Sequence, residues 1–377
     1  MAGILGSEGK IITMNDSSKS AGIKDIARLL RVSIGTVDRA LHNRPGISEA
    51  TKARVLRMAE QLGYRPNLIA QSLKLNRRLS IAVILPKHIS YFFDPLRAGI
   101  RAAAAAAAGM QVHLEFHEYP RLGIGDVEAL QRAVARGYDG IIFLPGDLRR
   151  FTPLIRKLAR GGSAMMCVGS DAPDTDRVGS VMTHAYVSGA IAAELLAHKL
   201  GDGARVAVFT GELSTLDHAE KLHGFSEALS SLAPHLNLLP ALESHERPRE
   251  AYRQALALMR GNARPEGIYL STANSVPVLK ALDELGLIGK VQIIATDLFQ
   301  ELVPLIESGR ILATLYQRPH TQGKLAFENL LAYLLQENKS RRIIRLAPHV
   351  IFRSNLSLFT GPQSALGDDI ETEPLPG

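Results

Sequence analysis

From Leu79 onward the chain alternates short apolar runs with longer helical stretches, and this rhythm restricts its possible folds more than any other feature. The runs are Ile81–Leu85, Val112–Phe116, Gly140–Leu144, Ala164–Val168, Arg205–Phe209, Gly267–Leu270, Val291–Ala295 and Ile311–Leu315. Between several of them lie helix-forming segments such as Pro95–Ala108 and Ser188–Lys199. A strand followed by a helix and then another strand predicts parallel sheets covered by helices on both faces. The unbroken alanine run Ala102–Ala108 fits this scheme as a strong helix former packed closely on a sheet.

At 377 residues the chain suits two or three domains. A hydrophobic share of 46% supplies sizeable cores, and 21% charged residues argue against a wholly disordered chain. No apolar run is long enough to span a bilayer. The first twenty residues mix Gly, Ser, Lys and Asp without a signal-peptide core, so a cytoplasmic location is the expectation. Cys167 is the only cysteine and lies in an apolar run, which predicts a buried strand thiol, not a nucleophile.

The net charge of +7 is concentrated near one end. Residues 22–78 hold 12 Lys/Arg against 4 Asp/Glu, a net of +8, which leaves −1 for the rest. A basic head on a neutral body outlines a nucleic-acid-binding module joined to something else. Within the head, Ile23–Leu30 reads as a helix with Ile26, Ala27 and Leu30 inward and Gly22 as its cap. Ser33 caps a second helix, Ile34–His42, with Val37, Ala40 and Leu41 inward. Ser48 caps a third, with Val55, Met58, Ala59 and Leu62 inward and Gly63 as its stop. Two short helices across a tight turn, the second with a polar and basic outer face, make a helix-turn-helix. Asn67 opens a further short segment, helical only with a partner to order it.

At this point the chain resembles a known family. Ile23-Lys24-Asp25-Ile26-Ala27, Val32-Ser33-x-x-Thr36-Val37-x-Arg39, and Leu62-Gly63-Tyr64-Arg65-Pro66-Asn67 with Ala70 and Leu73 look like the lactose-repressor (LacI/GalR) family. The resemblance continues to about residue 361. It implies an all-α helix-turn-helix head over 22–65, a hinge helix and linker over 66–78, and an α/β two-lobed sensor domain over 79–361. That sensor resembles a type I periplasmic-binding-protein fold, with lobe one near 79–184 plus 318–344 and lobe two near 185–317 plus 345–361. Residues 1–21 are expected to form a flexible arm, and 362–377 a disordered tail rich in Pro, Gly and acids.

The resemblance implies roles for particular residues. Ile34, Gly35 and Arg39 would lie on the major-groove face, where an arginine can bond guanine bidentately. Thr36 and Asn43 would position the head on the DNA backbone, and Ser33 joins the expected DNA-binding set. Leu73 matches a hinge leucine wedged into the minor groove; the alternative is linker packing. Three departures stand out: Gly35 carries no side chain where many relatives have a polar reader, Asp38 replaces a small polar residue, and Arg31 replaces a turn glycine, which implies a left-handed backbone there.

In the body the same likeness points to a ligand cleft. Phe92 and Phe93 match aromatics that stack on a sugar ring, Ser90 stands for a common asparagine, and Asp297 and Gln317 match a cleft aspartate and glutamine. Phe92 and Phe93 could instead be core, and Asp297 could instead cap the following helix. Relatives carry an arginine where this chain has Ala219, with His218 and Lys221 nearby. An aspartate-arginine pair is replaced by Gly169-Ser170 with Asp171 beyond, and the strand at Leu270 ends in Ser271-Thr272-Ala273-Asn274. Lys221 and Asp171 join the expected ligand set on this basis. Asp171, Asp174 and Asp176 lack a calcium-loop pattern, so no metal is expected there, and no cofactor elsewhere.

The resulting expectation is a DNA-binding regulator, a repressor controlled by a small sugar-like effector, acting on double-stranded operator DNA as a homodimer or higher oligomer. The rival is a solute-binding protein with no role in gene regulation. An enzyme is disfavoured: no Gly-x-Ser-x-Gly, Walker loop or His-Glu-x-x-His occurs, and Gly123-Ile124-Gly125 lacks the third glycine of a dinucleotide loop.

Overall fold

The structure is a computed structural model that describes residues 22–41, 44–62, 78–335 and 341–360. It divides into two compact units, Met1–Ala70 and Gln71–Gly377. The expected arm, hinge helix and tail, together with Asn43 and Leu73, lie outside the described residues.

The first unit holds three helices: α1 (Ile23–Leu30), α2 (Ile34–Leu41) and α3 (Glu49–Gln61). Their amphipathic faces meet in one small core of Ile26, Ala27, Val37, Ala40, Val55 and Ala59, flanked by Leu30, Leu41, Met58 and Leu62. Gly22 and Asp25 form the α1 cap, with the Gly22 amide donating to Asp25 Oδ2 at 2.9 Å. Arg31 ends α1 in the left-handed region at φ 53°, the strain implied by its missing glycine. Ser33 Oγ then accepts the Thr36 amide at 3.0 Å to start α2, and Ser48 Oγ accepts the Thr51 amide at 3.2 Å to start α3.

The second unit contains two sheets. The first joins β1 (Leu79–Pro86), β2 (Val112–Tyr119), β3 (Gly140–Phe143), β4 (Ala164–Val168), β5 (Gly179–Thr183) and β12 (Arg342–Leu346), in the order β12-β5-β4-β3-β1-β2. All its pairings are parallel. Its helices are α4 (Ser90–Ala106), α5 (Asp126–Arg136), α6 (Leu148–Ala159) and α12 (Pro319–Leu335). The second sheet joins β6 (Arg205–Thr210), β7 (Asn237–Leu238), β9 (Gly267–Leu270), β10 (Gln292–Thr296), β11 (Ala313–Tyr316) and β13 (His349–Ile351), in the order β13-β11-β10-β9-β6-β7, with β8 (Leu242–Glu243) also on β6. Only β13 runs antiparallel to its neighbour. Its helices are α7 (Ala185–Ala197), α8 (Leu216–Leu232), α9 (Pro248–Arg260), α10 (Val276–Glu284) and α11 (Val303–Glu307), and α13 (Ser357–Thr360) follows β13.

The chain crosses between lobes three times, and the crossings are tied together. Thr183 Oγ1 donates to the Gln317 carbonyl at 2.7 Å, Gln322 Nε2 donates to the same carbonyl at 2.7 Å, and the His184 amide donates to the Leu346 carbonyl at 2.9 Å. The third crossing falls after Leu346, two residues beyond the expected 344/345 boundary, because β12 keeps its register with β5 through Leu346↔Thr183. Helices α7 and α8 pack backbone to backbone: a side chain at Gly189 would collide with the Lys221 carbonyl, and one at Gly224 with that of Tyr186. This contact sets the depth of α8, whose first turns face the cleft. Cys167 is buried in β4, and burial pushes its thiol well above the ordinary range.

Candidate DNA-reading face and ligand cleft

The outward face of α2 is open. Ile34 is 52% exposed, and Ser33, Gly35 and Arg39 are exposed beside it. Thr36 is half-buried because its hydroxyl meets Ser33 Oγ at 2.8 Å within the cap. A Cβ at Gly35 would meet nothing closer than Ser33 Oγ at 3.8 Å, so the fold does not require glycine there. The Asp38 carboxylate pairs with Arg44 at 3.1 Å, which offsets its charge beside this basic surface. Arg54 and Arg57 of α3 are also exposed.

The cleft lies at the carboxyl ends of the strands, where open α/β sheets bind ligands. Its cavity of about 50 Å³ is lined from lobe one by Ile89, Phe92, Phe93, Leu144, Gly169 and Ser170. Lobe two contributes Thr215, Asp217, His218, Lys221, Glu246, Thr272 and Ala273, and Gln317 closes the floor at the crossing. Ile89, left-handed at φ 63°, begins α4 by accepting the Phe92 and Phe93 amides at 3.2 and 3.1 Å. This turn brings both rings to the cleft, edge to face with centroids 5.0 Å apart. The lobes are closed on each other. Arg121 Nη1 donates to the His245 carbonyl at 3.1 Å and the Leu148 amide to the Ser214 carbonyl at 3.3 Å. Tyr91 of α4 reaches into the lobe-two core, its ring 4.7 Å from Phe299 and its hydroxyl bonded to the Ala273 carbonyl.

Buried polar groups form a chain behind the lobe-two wall. Lys221 Nζ donates to Asp217 Oδ2 at 2.7 Å and to Gln317 Oε1 at 2.8 Å. Gln317 donates from Nε2 to Asp297 Oδ2 at 2.7 Å and from its amide to Asp297 Oδ1 at 3.1 Å. Asp297 is fully enclosed, and burial raises its carboxyl from 3.8 to about 6 despite Lys221 and Gln317. His218 Nδ1 accepts the Glu212 amide at 2.8 Å, and its Nε2 faces Glu246 Oε1 at 3.4 Å.

Four expected ligand residues, Phe92, Phe93, Lys221 and Gln317, therefore share one cleft. Three do not line it. Ser90 is exposed, on the outer side of the first turn of α4. Asp171 is buried against Arg177, whose Nη2 donates to Oδ2 at 2.7 Å, and braces the loop that joins parallel β4 and β5 without a helix. Asp297 stands one layer back and orients Gln317; it does not cap the following helix, whose N-cap Leu302 receives no side-chain bond. The sequence reading missed Asp217 and Glu246. The four-residue spacing from Asp217 to Lys221 is an ordinary helical ion-pair signal. Glu246 has no such signal, because it enters from a loop in which His245 and Glu246 are both left-handed, at φ 51° and 53°.

Comparison with known proteins agrees with both units. Residues 22–67 match the bacterial regulatory proteins of the lacI family, and residues 81–338 match the periplasmic binding protein domain. The chain belongs to the lacI family of regulators. The regulator is 24% identical over 346 residues to the HTH-type transcriptional repressor PurR of Aliivibrio salmonicida, covering 89% of this chain and 99% of that one. It is 25% identical over 349 residues to the ribose operon repressor of Haemophilus influenzae, covering 89% and 98%. Its sensor shares the fold of a solute-binding protein from Burkholderia graminis solved with D-arabinose, with TM-score 0.68 and 22% identity over 75% of this chain and 98% of that one. The regulator thus joins a DNA-binding helix-turn-helix to a periplasmic-binding-protein-like sensor domain. No helix among the described residues is long and apolar enough to cross a membrane.

Proposed function

We propose that the regulator represses transcription as a cytoplasmic homodimer, reading a near-palindromic operator with two copies of α2 and releasing or retaining it according to the state of the cleft. The observation that carries this reading is the pairing of an exposed recognition helix with a cleft whose lining includes buried, unpartnered polar atoms: Ser170 Oγ, Asp217 Oδ1 and Glu246 Oε2. Such atoms are costly unless a ligand answers them. In this reading Ile34, Gly35 and Arg39 meet base edges, while Ser33 and Thr36 hold the backbone. Phe92 and Phe93 cover the apolar face of a polyhydroxylated ligand, and Lys221 and Gln317 bond its hydroxyls. One head alone makes limited contact, which is why two half-sites are expected.

The decisive experiment is a genome-wide pull-down of bound fragments followed by gel shifts on the recovered operator, with and without metabolites of the neighbouring genes. A palindromic site whose occupancy changes with one metabolite is expected. Non-specific binding only, or a monomer in sedimentation that retains full operator affinity, overturns the reading.

A further inference from the structure

The lobe-two wall carries a buried carboxylate with one oxygen that the fold leaves without a partner. Asp217 and Glu246 both line the cleft, and Lys221 is the single Lys or Arg among the lining residues. Lys221 is already bonded to Asp217 and Gln317. Glu246 is only 2% exposed, and its Oε1 accepts Thr272 Oγ1 at 2.9 Å, while its Oε2 has no partner. Among the described residues, no Lys or Arg nitrogen lies within 4.0 Å of Glu246. His218 Nε2 faces Glu246 Oε1 at 3.4 Å, on the side away from Oε2's open position.

The backbone nevertheless holds this carboxylate in place. The two left-handed residues turn the loop inward, and a side chain at Gly211 would collide with both Glu246 Oε1 and the His218 ring. A buried carboxylate with one oxygen left without a hydrogen-bond partner is unfavourable. The missing partner must come from outside the chain.

We propose that the cleft takes a sugar-sized molecule bearing a protonated amine, an amino sugar or amino cyclitol, whose ammonium group sits on Glu246 Oε2. This rests on the sensor reading above. Ring hydroxyls then meet Asp217 Oδ1 and Ser170 Oγ, and the apolar ring face lies against Phe92 and Phe93. Acidic sugars are rejected, because their charge would add to that of Asp217 and Glu246 without a free cation to meet it.

The test is calorimetric titration of the full chain with D-glucosamine, D-galactosamine and D-mannosamine. Each is compared with its parent hexose, its uncharged N-acetyl form and its hexuronate. At least one amine should bind about tenfold or more tightly than its neutral counterparts. Glu246→Gln should erase that margin, since the amide keeps the shape and removes the charge. Equal binding of a hexose, N-acetyl sugar or hexuronate overturns the amine assignment but leaves the sensor reading intact, and a margin surviving in Glu246→Gln overturns the role of Glu246. Silence from the whole panel also overturns the assignment. A melting scan against a general metabolite set then separates the two failures: a stabilising, operator-shifting metabolite retains the sensor, and none removes both.

Discussion

The outward face of α2 and the lobe-two wall of the cleft are both polar surfaces at the start of a helix, yet one is open and the other is shut in. On α2, Ile34, Gly35 and Arg39 project into solvent, and the head core lies wholly on the opposite side. On α8, Lys221 is 1% exposed and is bonded to Asp217 of its own helix and to Gln317 at the crossing. An exposed polar face leaves folding indifferent to its residues. A buried one makes the same residues serve stability and recognition together, so substitutions on the two faces should separate cleanly.

The largest effect belongs to the buried wall. Lys221→Met removes the cation between Asp217 and Gln317, and should lower stability by roughly 3–5 kcal/mol, because a buried charge loses its partner. Urea unfolding measures this, and a loss below about 1 kcal/mol would break the contrast. Asp297→Asn comes next and is distinguished by its pH dependence. The parent carboxyl rises from 3.8 to about 6 on folding, so its contribution to stability is fully present below 3.8 and lost as pH climbs through 6. The asparagine does not titrate. The variant's stability relative to the parent should therefore improve by about 2–3 kcal/mol between pH 4 and pH 7. Melting curves across that range check it, and a constant difference would show that burial does not govern this carboxyl.

The open face predicts the converse. Arg39→Ala should cost roughly 1–3 kcal/mol of operator binding and relax one operator position, while unfolding stays within about 0.5 kcal/mol of the parent. Gel shifts on operator variants beside a melting curve separate the two readouts; unchanged binding removes Arg39 from the groove. Gly35→Ala is the smallest and sharpest case. A Cβ there meets only ordinary contacts, so stability should rise by up to about 1 kcal/mol. Operator affinity should fall if the bare backbone approaches DNA closely. Greater stability with unaltered operator affinity would leave Gly35 without a recognition role.

The same contrast explains what could be read from the sequence. The head is governed by short-range signals, and the inward residues and caps named from spacing recur in its core and at its helix starts. The eight apolar runs of the body coincide with β1, β2, β3, β4, β6, β9, β10 and β11. Strands β5, β12 and β13 left no comparable mark. Strand β5 follows β4 without the helix that makes a parallel crossover visible, and β12 is a half-exposed edge strand rich in arginine. In the cleft, positions following apolar strands were legible, as with Phe92, Phe93 and Gln317. Glu246 was not, because two left-handed residues bring it inward and no periodicity encodes such a turn.

Gln317 belongs at once to the floor of the cleft and to the tie between the crossings. Its side chain bonds Lys221 and Asp297, while its carbonyl receives Thr183 and Gln322 from the first lobe. Occupancy and lobe angle therefore meet in a single residue, with no intervening relay to lengthen or weaken. Under the proposed reading, a ligand bonded to the Gln317 side chain would act directly on the residue that ties the two lobes together.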